Sequence, residues 1–245
     1  MPSRGRAKIV VQYRTMHQRV VDELGRRIVG GEWQPGESLP VEGALAVQLG
    51  VSRGALREAV KALAAKGMLH VRPRTGTRVL TPEHWNYLDR DVLRWQQACD
   101  AATLMRDTNG LRRIVEPEAA RLAAGRADPN DVRALQDALT VMEIAAARPG
   151  RGGYIEADIA FHGALLVASG NRLLGSLGRA VNVALEHTFA VSTQTPGAVE
   201  GSLPGHRAVV EAIEAGDPEA AAAAMLGIID AAEQEITRSP GRPRD

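Results

Sequence analysis

Apolar residues recur at helical spacing through most of the chain. Val20, Val21, Leu24 and Ile28 mark one face of a helix predicted over 16–29, which Gly30 and Gly31 stop. After a turn-rich stretch over 32–40, a short helix is predicted over 41–49, ended by Gly50. Ser52 is a good N-cap for the next helix, 53–66, whose Leu56, Val60 and Leu63 face inward before Gly67 ends it. Only then does the period change: 68–72 and 77–80 read as two strands around Pro73-Arg74-Thr75-Gly76, a β-hairpin. From Asp89 onward helical spacing returns, with helices near 89–97, 101–126, 129–148, 155–169, 171–188, 206–215 and 218–238. Asp128-Pro129 and Asp217-Pro218 mark two of the starts, each a capping carboxylate before a proline at the first helical position. The stretch 192–205 reads as a loop and the residues from Ser239 as a frayed tail. The expected fold is mainly α: a winged helix-turn-helix domain over 1–80, a linker and docking segment over 81–100, and an all-helical bundle over 101–240.

Composition narrows the class. At 245 residues, 44% hydrophobic and 24% charged, the chain can bury a real core, which excludes disorder. Its single cysteine, Cys99, forbids an internal disulfide and a multi-cysteine zinc finger. No apolar run approaches the roughly 20 residues needed to cross a bilayer. The patch Ile9-Val10-Val11 behind Arg4, Arg6 and Lys8 is too short for a secretory signal, so a cytoplasmic protein without a membrane partner is expected. Aromatics at 3% argue against a stacking platform for single-stranded nucleic acid.

The net charge of +1 hides a division. Through Leu80 there are fourteen Lys and Arg against six Asp and Glu, a net +8; from Thr81 onward sixteen stand against twenty-three, a net −7. The basic block therefore suits a polyanion. A helix-turn-helix offers the N-terminal side chains of its second helix to base edges in the major groove. Here those are Arg53 and Arg57, one turn apart on the outward face, each able to donate two hydrogen bonds to guanine; the alternative is a pair of solvated surface arginines. Ser52 at the helix start and Thr77 on the wing complete the expected DNA face. Gly76 allows close approach of the wing backbone, and Arg72, Arg74 and Arg78 are placed to neutralise phosphate.

In the acidic block, Asp158 and His162 stand four apart, so both project from one helix face. That spacing suits a divalent metal such as zinc, manganese or nickel, with a third ligand available from His206. A surface ion pair is the common alternative, but Ile159, Phe161, Leu165 and Leu166 make this helix largely apolar, and a partly buried charged pair needs a reason. Arg112 is the natural clamp for a carboxylate, with a salt bridge to Glu116 one turn on as the competing reading.

The motifs carry a resemblance. Gly31-x-Trp33-x-Pro35-Gly36-Glu37-x-Leu39-Pro40-x-Glu42, Leu49-Gly50-Val51-Ser52-Arg53-x-x-Leu56-Arg57-Glu58-Ala59, Gly67-Met68-Leu69 and Gly76-Thr77-x-Val79 resemble the DNA-binding domain of GntR-family repressors. Many members carry an arginine where this chain has Gly43. The remainder resembles the helical effector domain of the FadR branch, through Arg112-x-x-x-Glu116-Pro117, Asp158-x-x-Phe161-His162, Ser169-Gly170-Asn171 and His206 with Gly216-Asp217. By that resemblance Asp158, His162 and His206 match three metal ligands, while the fourth falls on Ile228; either the ion is held by three residues, or these side chains bind the effector directly. His187 lacks helix register for the part, and His17, His70 and His84 read as surface or packing residues. Trp85-Asn86-Tyr87-Leu88-Asp89-x-Asp91-Val92-Leu93-x-Trp95 is similar to the sugar-acid regulators of that branch, the galactonate-operon repressors among them.

The resemblance implies a homodimeric repressor that binds double-stranded operator DNA and is released by a small carboxylate effector. Arg112, Asp158, His162 and His206 would form the effector site, and Asp158, His162 and His206 the metal site. The rival readings are a regulator of another acid (lactate, pyruvate, glycolate or an acyl thioester) and a metal-dependent enzyme. The enzyme is disfavoured because no general base stands beside the triad and no nucleophile elbow or phosphate loop is present.

Overall fold

The structure is a computed structural model and describes residues 16–72, 76–148, 153–193 and 197–238. The chain forms two compact units that divide between Asn86 and Tyr87, inside the segment expected to link the domains.

In the first unit, α1 (Met16–Val29), α2 (Glu42–Leu49) and α3 (Arg53–Ala65) precede a two-stranded antiparallel hairpin, β1 (Leu69–Arg72) and β2 (Gly76–Val79), in which Leu69 faces Val79 and Arg72 faces Gly76. The predicted stripe Val20, Val21, Leu24 and Ile28 is buried, as are Leu45, Leu56, Leu63, Met68 and Val79. The turn between α2 and α3 follows from two local devices. Gly50 closes α2 in the left-handed region at φ +64, and the Ser52 side chain caps α3 by accepting from the Ala55 N–H at 3.1 Å. The stretch read as a plain turn also pairs with the wing, since Leu39 N–H donates to Thr77 O and Val79 N–H to Glu37 O. Gly67, at φ +75, packs so close to the chain's return that a Cβ would overlap the carbonyl oxygen of His84.

The second unit is helical throughout its described residues: α4 (Arg90–Cys99), α5 (Ala101–Arg126), α6 (Pro129–Ala146), α7 (Tyr154–Ala168), α8 (Arg172–Ser192), α9 (Ala198–Glu214) and α10 (Pro218–Arg238). Asp89, Asp100 and Asp128 cap α4, α5 and α6, and Asp128 with Asp131 forms a reciprocal capping box. Ala119, Ala120 and Ala123 of α5 allow close approach to a core that includes Leu135, Met142, Tyr154, Phe161, Leu165, Val209 and Met225.

One expectation is overturned. The predicted loop over 192–205 is largely helix, because α8 runs on to Ser192 and α9 starts at Ala198 rather than His206. Glycines and Pro204 signalled a loop, yet Val199 is fully buried and Leu203 packs on the core, so tertiary burial outweighs local propensity. No described helix is long and apolar enough to cross a membrane.

Candidate functional site

In the first unit, Arg53 and Arg57 emerge together on the exposed face of α3, as expected. Arg57 is not free: its Nε donates to Glu42 Oε2 of α2 at 2.8 Å. Arg53 folds over Gly43, where a Cβ would stand 3.3 Å from its Nη2, so the missing side chain leaves room for this guanidinium. Arg72 and Arg78 are exposed on the wing, Gly76 takes φ +89 at its tip, and Thr77 is half-buried; Arg74 lies outside the described residues. Between α3 and the wing is a concavity of about 660 Å³, lined in part by Glu42, Arg57, Lys61, Arg72 and Thr77.

In the second unit, a cavity of about 290 Å³ opens among α5, α7, α8, α9 and α10, lined by Arg112, Asp158, His162 and His206 together with Phe189, Ser202 and Ile228, among others. All four predicted residues are brought together here. Asp158, His162 and His206 each offer a ligand atom within 4.8 Å of the others. His162 Nε2 lies 3.3 Å and His206 Nε2 3.1 Å from Asp158 Oδ1. The opposite ring nitrogens face oxygens: His162 Nδ1 is in charge contact with Glu116 Oε2 at 2.9 Å, outside hydrogen-bond alignment, and His206 Nδ1 is hydrogen-bonded to the Ser202 carbonyl at 2.9 Å. With a cation bound, protons kept on the two Nδ1 atoms would leave each Nε2 lone pair for the same point as the aspartate. That is the donor set and supporting shell a divalent cation requires. Ile228 lines the same cavity with hydrocarbon, and among the described residues three side chains bring ligand atoms to one point.

Arg112 makes the salt bridge to Glu116 that competed with the carboxylate-clamp reading. Its Nε donates to Glu116 Oε1 at 3.0 Å, its Nη2 lies 3.2 Å from His162 Nε2, and its guanidinium stacks 4.7 Å from the centre of the Phe189 ring. Although the residue is 97% buried, Nη1 has no partner among the described residues. A buried guanidinium with an unused donor beside a cavity has the chemistry to pair with an anion.

The electrostatics follow from burial. Burial pushes the Glu116 carboxyl up, but Arg112 and His162 outweigh it and hold it down at about 2. Burial likewise raises the Asp158 carboxyl, and hydrogen bonds from His162 and His206 reverse this and hold it well below the usual carboxylate range. Burial lowers His162, but Glu116 and the Asp158 contact prevail and its proton is held more tightly than in water.

Sequence reasoning missed Ser202 and Phe189. Ser202 was hidden by the loop reading of its segment, and its register in α9 was the signal available. His17 is half-buried and His70 and His84 are exposed in the first unit, while the His187 side chain lies outside the described residues.

A winged helix carrying exposed arginines, joined to a helical domain with a polar buried cavity, defines a ligand-responsive DNA-binding regulator. Comparison with known proteins agrees. Residues 16–79 match the family of bacterial regulatory proteins, gntR family, and residues 108–231 match the FCD domain. The chain is 35% identical to the HTH-type transcriptional regulator YieP of Escherichia coli, over 91% of this chain and 93% of that protein. It is 34% identical to the galactonate operon transcriptional repressor of the same organism, over 89% and 95%. Among solved structures, the GntR protein of Streptococcus agalactiae superposes with a TM-score of 0.52 at 30% identity, covering 89% of this chain and 99% of that one. The chain belongs to the GntR family of bacterial regulators, with an FCD effector domain, and is a transcriptional regulator rather than an enzyme.

Proposed function

We propose that this regulator is a repressor that binds operator DNA as a homodimer and is released by a small hydroxylated carboxylate, most simply a sugar acid of the galactonate type. The observation that carries this is the unused Nη1 of buried Arg112, beside a polar cavity in a domain of net negative charge. An acid entering there pairs with Arg112. At about 290 Å³ the cavity sits at the small end of ligand pockets, which favours a short acid over an acyl thioester. The likeness to the galactonate repressor supports the sugar-acid class over lactate, pyruvate or glycolate.

Asp158, His162 and His206 would hold a divalent ion (zinc, manganese or nickel), and its charge would attract the carboxylate or an adjacent hydroxyl. On the DNA side, Ser52, Arg53, Arg57, Gly76 and Thr77, with Arg72 and Arg74, form the proposed operator face. Each recognition helix enters one major groove of a palindromic site. Release requires that the acid bind more tightly to the dimer whose winged helices are misplaced for the operator, since equal affinity shifts nothing.

The test is calorimetry and operator gel shift with aldonates, simple 2-hydroxy acids and acyl thioesters, on wild type and Arg112→Ala. Aldonate binding that weakens the operator complex and is lost in Arg112→Ala is expected. Response to an acyl thioester alone, or undiminished aldonate binding by the variant, overturns the proposal. Metal analysis of wild type and His162→Ala after dialysis tests the ion, and equal content in both removes these residues from its site.

A further inference from the structure

The carboxylate of Glu116 is 97% buried behind the cavity wall and touches two of the site's residues at once. Oε1 accepts from Arg112 Nε at 3.0 Å, and Oε2 lies 2.9 Å from His162 Nδ1. Each contact has a geometric consequence. Holding the guanidinium by Nε leaves both Nη groups for other partners: Nη1 has none among the described residues, and Nη2 meets His162 Nε2. A carboxylate oxygen 2.9 Å from Nδ1 favours the proton on that nitrogen, which leaves the lone pair on Nε2, the atom that faces Asp158 and His206. The anion-binding and cation-binding halves of the cavity are thus built on the two oxygens of one side chain.

We infer that Glu116 is the positioning residue of the effector site, setting the tautomer of His162 and the aim of Arg112 with a single carboxylate. The inference rests on the proposed reading of the cavity, and it adds a residue that contacts neither ion nor acid. A role limited to neutralising buried Arg112 would need only the Oε1 contact. The second oxygen on His162 goes beyond that.

Glu116→Gln separates the two. The amide keeps the shape but has one acceptor and one donor, so whichever way it turns it opposes either Arg112 Nε–H or His162 Nδ1–H. Full-length wild type and Glu116→Gln, stripped of metal, are titrated with Co²⁺ by visible absorption and with galactonate by calorimetry. The core variant Leu135→Ala serves as a control for general destabilisation, and all are measured far below their melting temperatures. Expected for Glu116→Gln is a Co²⁺ affinity lower by about 10- to 100-fold, with weakened galactonate binding, while Leu135→Ala binds both as wild type does. Equal affinities in wild type and Glu116→Gln overturn the inference and leave the proposed function standing. If wild type binds no Co²⁺ but Glu116→Gln still loses galactonate, the metal reading fails and the role of Glu116 holds. Histidine ¹⁵N spectra in alkaline buffer need neither ligand nor variant: His162 protonated on Nδ1 supports the inference, and a proton on Nε2 in wild type overturns it, even if Glu116→Gln does not fold.

Discussion

Gly205 has no side chain where Ile228 needs the space: a Cβ there would stand 2.7 Å from Ile228 Cγ1. The contact joins α9 to α10 one residue before His206, so the isoleucine beside the three-residue cluster is seated on a glycine. Gly205→Ala is expected to destabilise the helical domain by about 1–3 kcal/mol through overpacking. Ile228→Ala alone is expected to cost about 2–4 kcal/mol through the cavity it leaves. Because the added methyl enters the vacated space, the double variant should cost clearly less than the two together, as read from urea midpoints. Additive costs would show that the two residues do not press on each other.

Much of this arrangement was legible in the chain because local rules govern it. The end of α1 follows from its glycine stop and the start of α6 from its aspartate cap, and the spacing of Asp158 and His162 alone put both on one face. What was not legible depends on packing between distant segments. Nothing in the spacing of Glu116 and His162 announces that α5 and α7 bring Oε2 to Nδ1, and the burial of Val199 that carries α9 through Pro204 is invisible to propensity.

Gly67 ends the recognition helix with no tolerance for a side chain. It combines φ +75 with a space closed by the backbone of His84, and backbone cannot swing aside as a side chain can. Gly67→Ala should therefore destabilise the DNA-binding domain by at least ~2 kcal/mol, against the few tenths expected for an exposed glycine elsewhere. Differential scanning calorimetry of the full chain would show this as a lowered transition for that domain. An unchanged transition would contradict the closeness of His84.

The buried network predicts opposing pH limbs for metal-stripped protein. Glu116 is held at about 2 against an ordinary 4.5, so its contribution is present above 4.5 and is lost as the pH falls toward 2. His162 is shifted upward, so its contribution is complete below its ordinary 6.5 and is lost as the pH rises through its raised value. From these two groups the helical domain should melt highest between about 4.5 and 6.5, and Glu116→Gln should flatten the acid limb. Melting temperatures across pH decide it, and an acid limb as steep in Glu116→Gln as in wild type would assign acid sensitivity to other carboxylates.

Arg57 is held by Glu42 in the protein without DNA, through an exposed contact of 2.8 Å that contributes little to stability. Arg57→Ala should consequently leave the melting temperature of the first domain unchanged. Its effect on DNA distinguishes two modes. If Arg57 reads bases, Arg57→Ala would lower operator affinity on the order of tenfold per half-site while hardly changing affinity for random DNA. If Arg57 contacts phosphate, Arg57→Ala would weaken both alike and reduce the salt slope by about one. The base-reading outcome is expected, because Arg57 lies one turn from the start of α3 on the same exposed face as Arg53. Glu42→Gln provides the complementary arm: losing the carboxylate frees the guanidinium without removing it, so operator preference should survive in this variant and fall in Arg57→Ala. Competition gel shifts with operator and random duplexes at several salt concentrations measure both, and a wild-type preference in Arg57→Ala would move base reading to Arg53 or the wing.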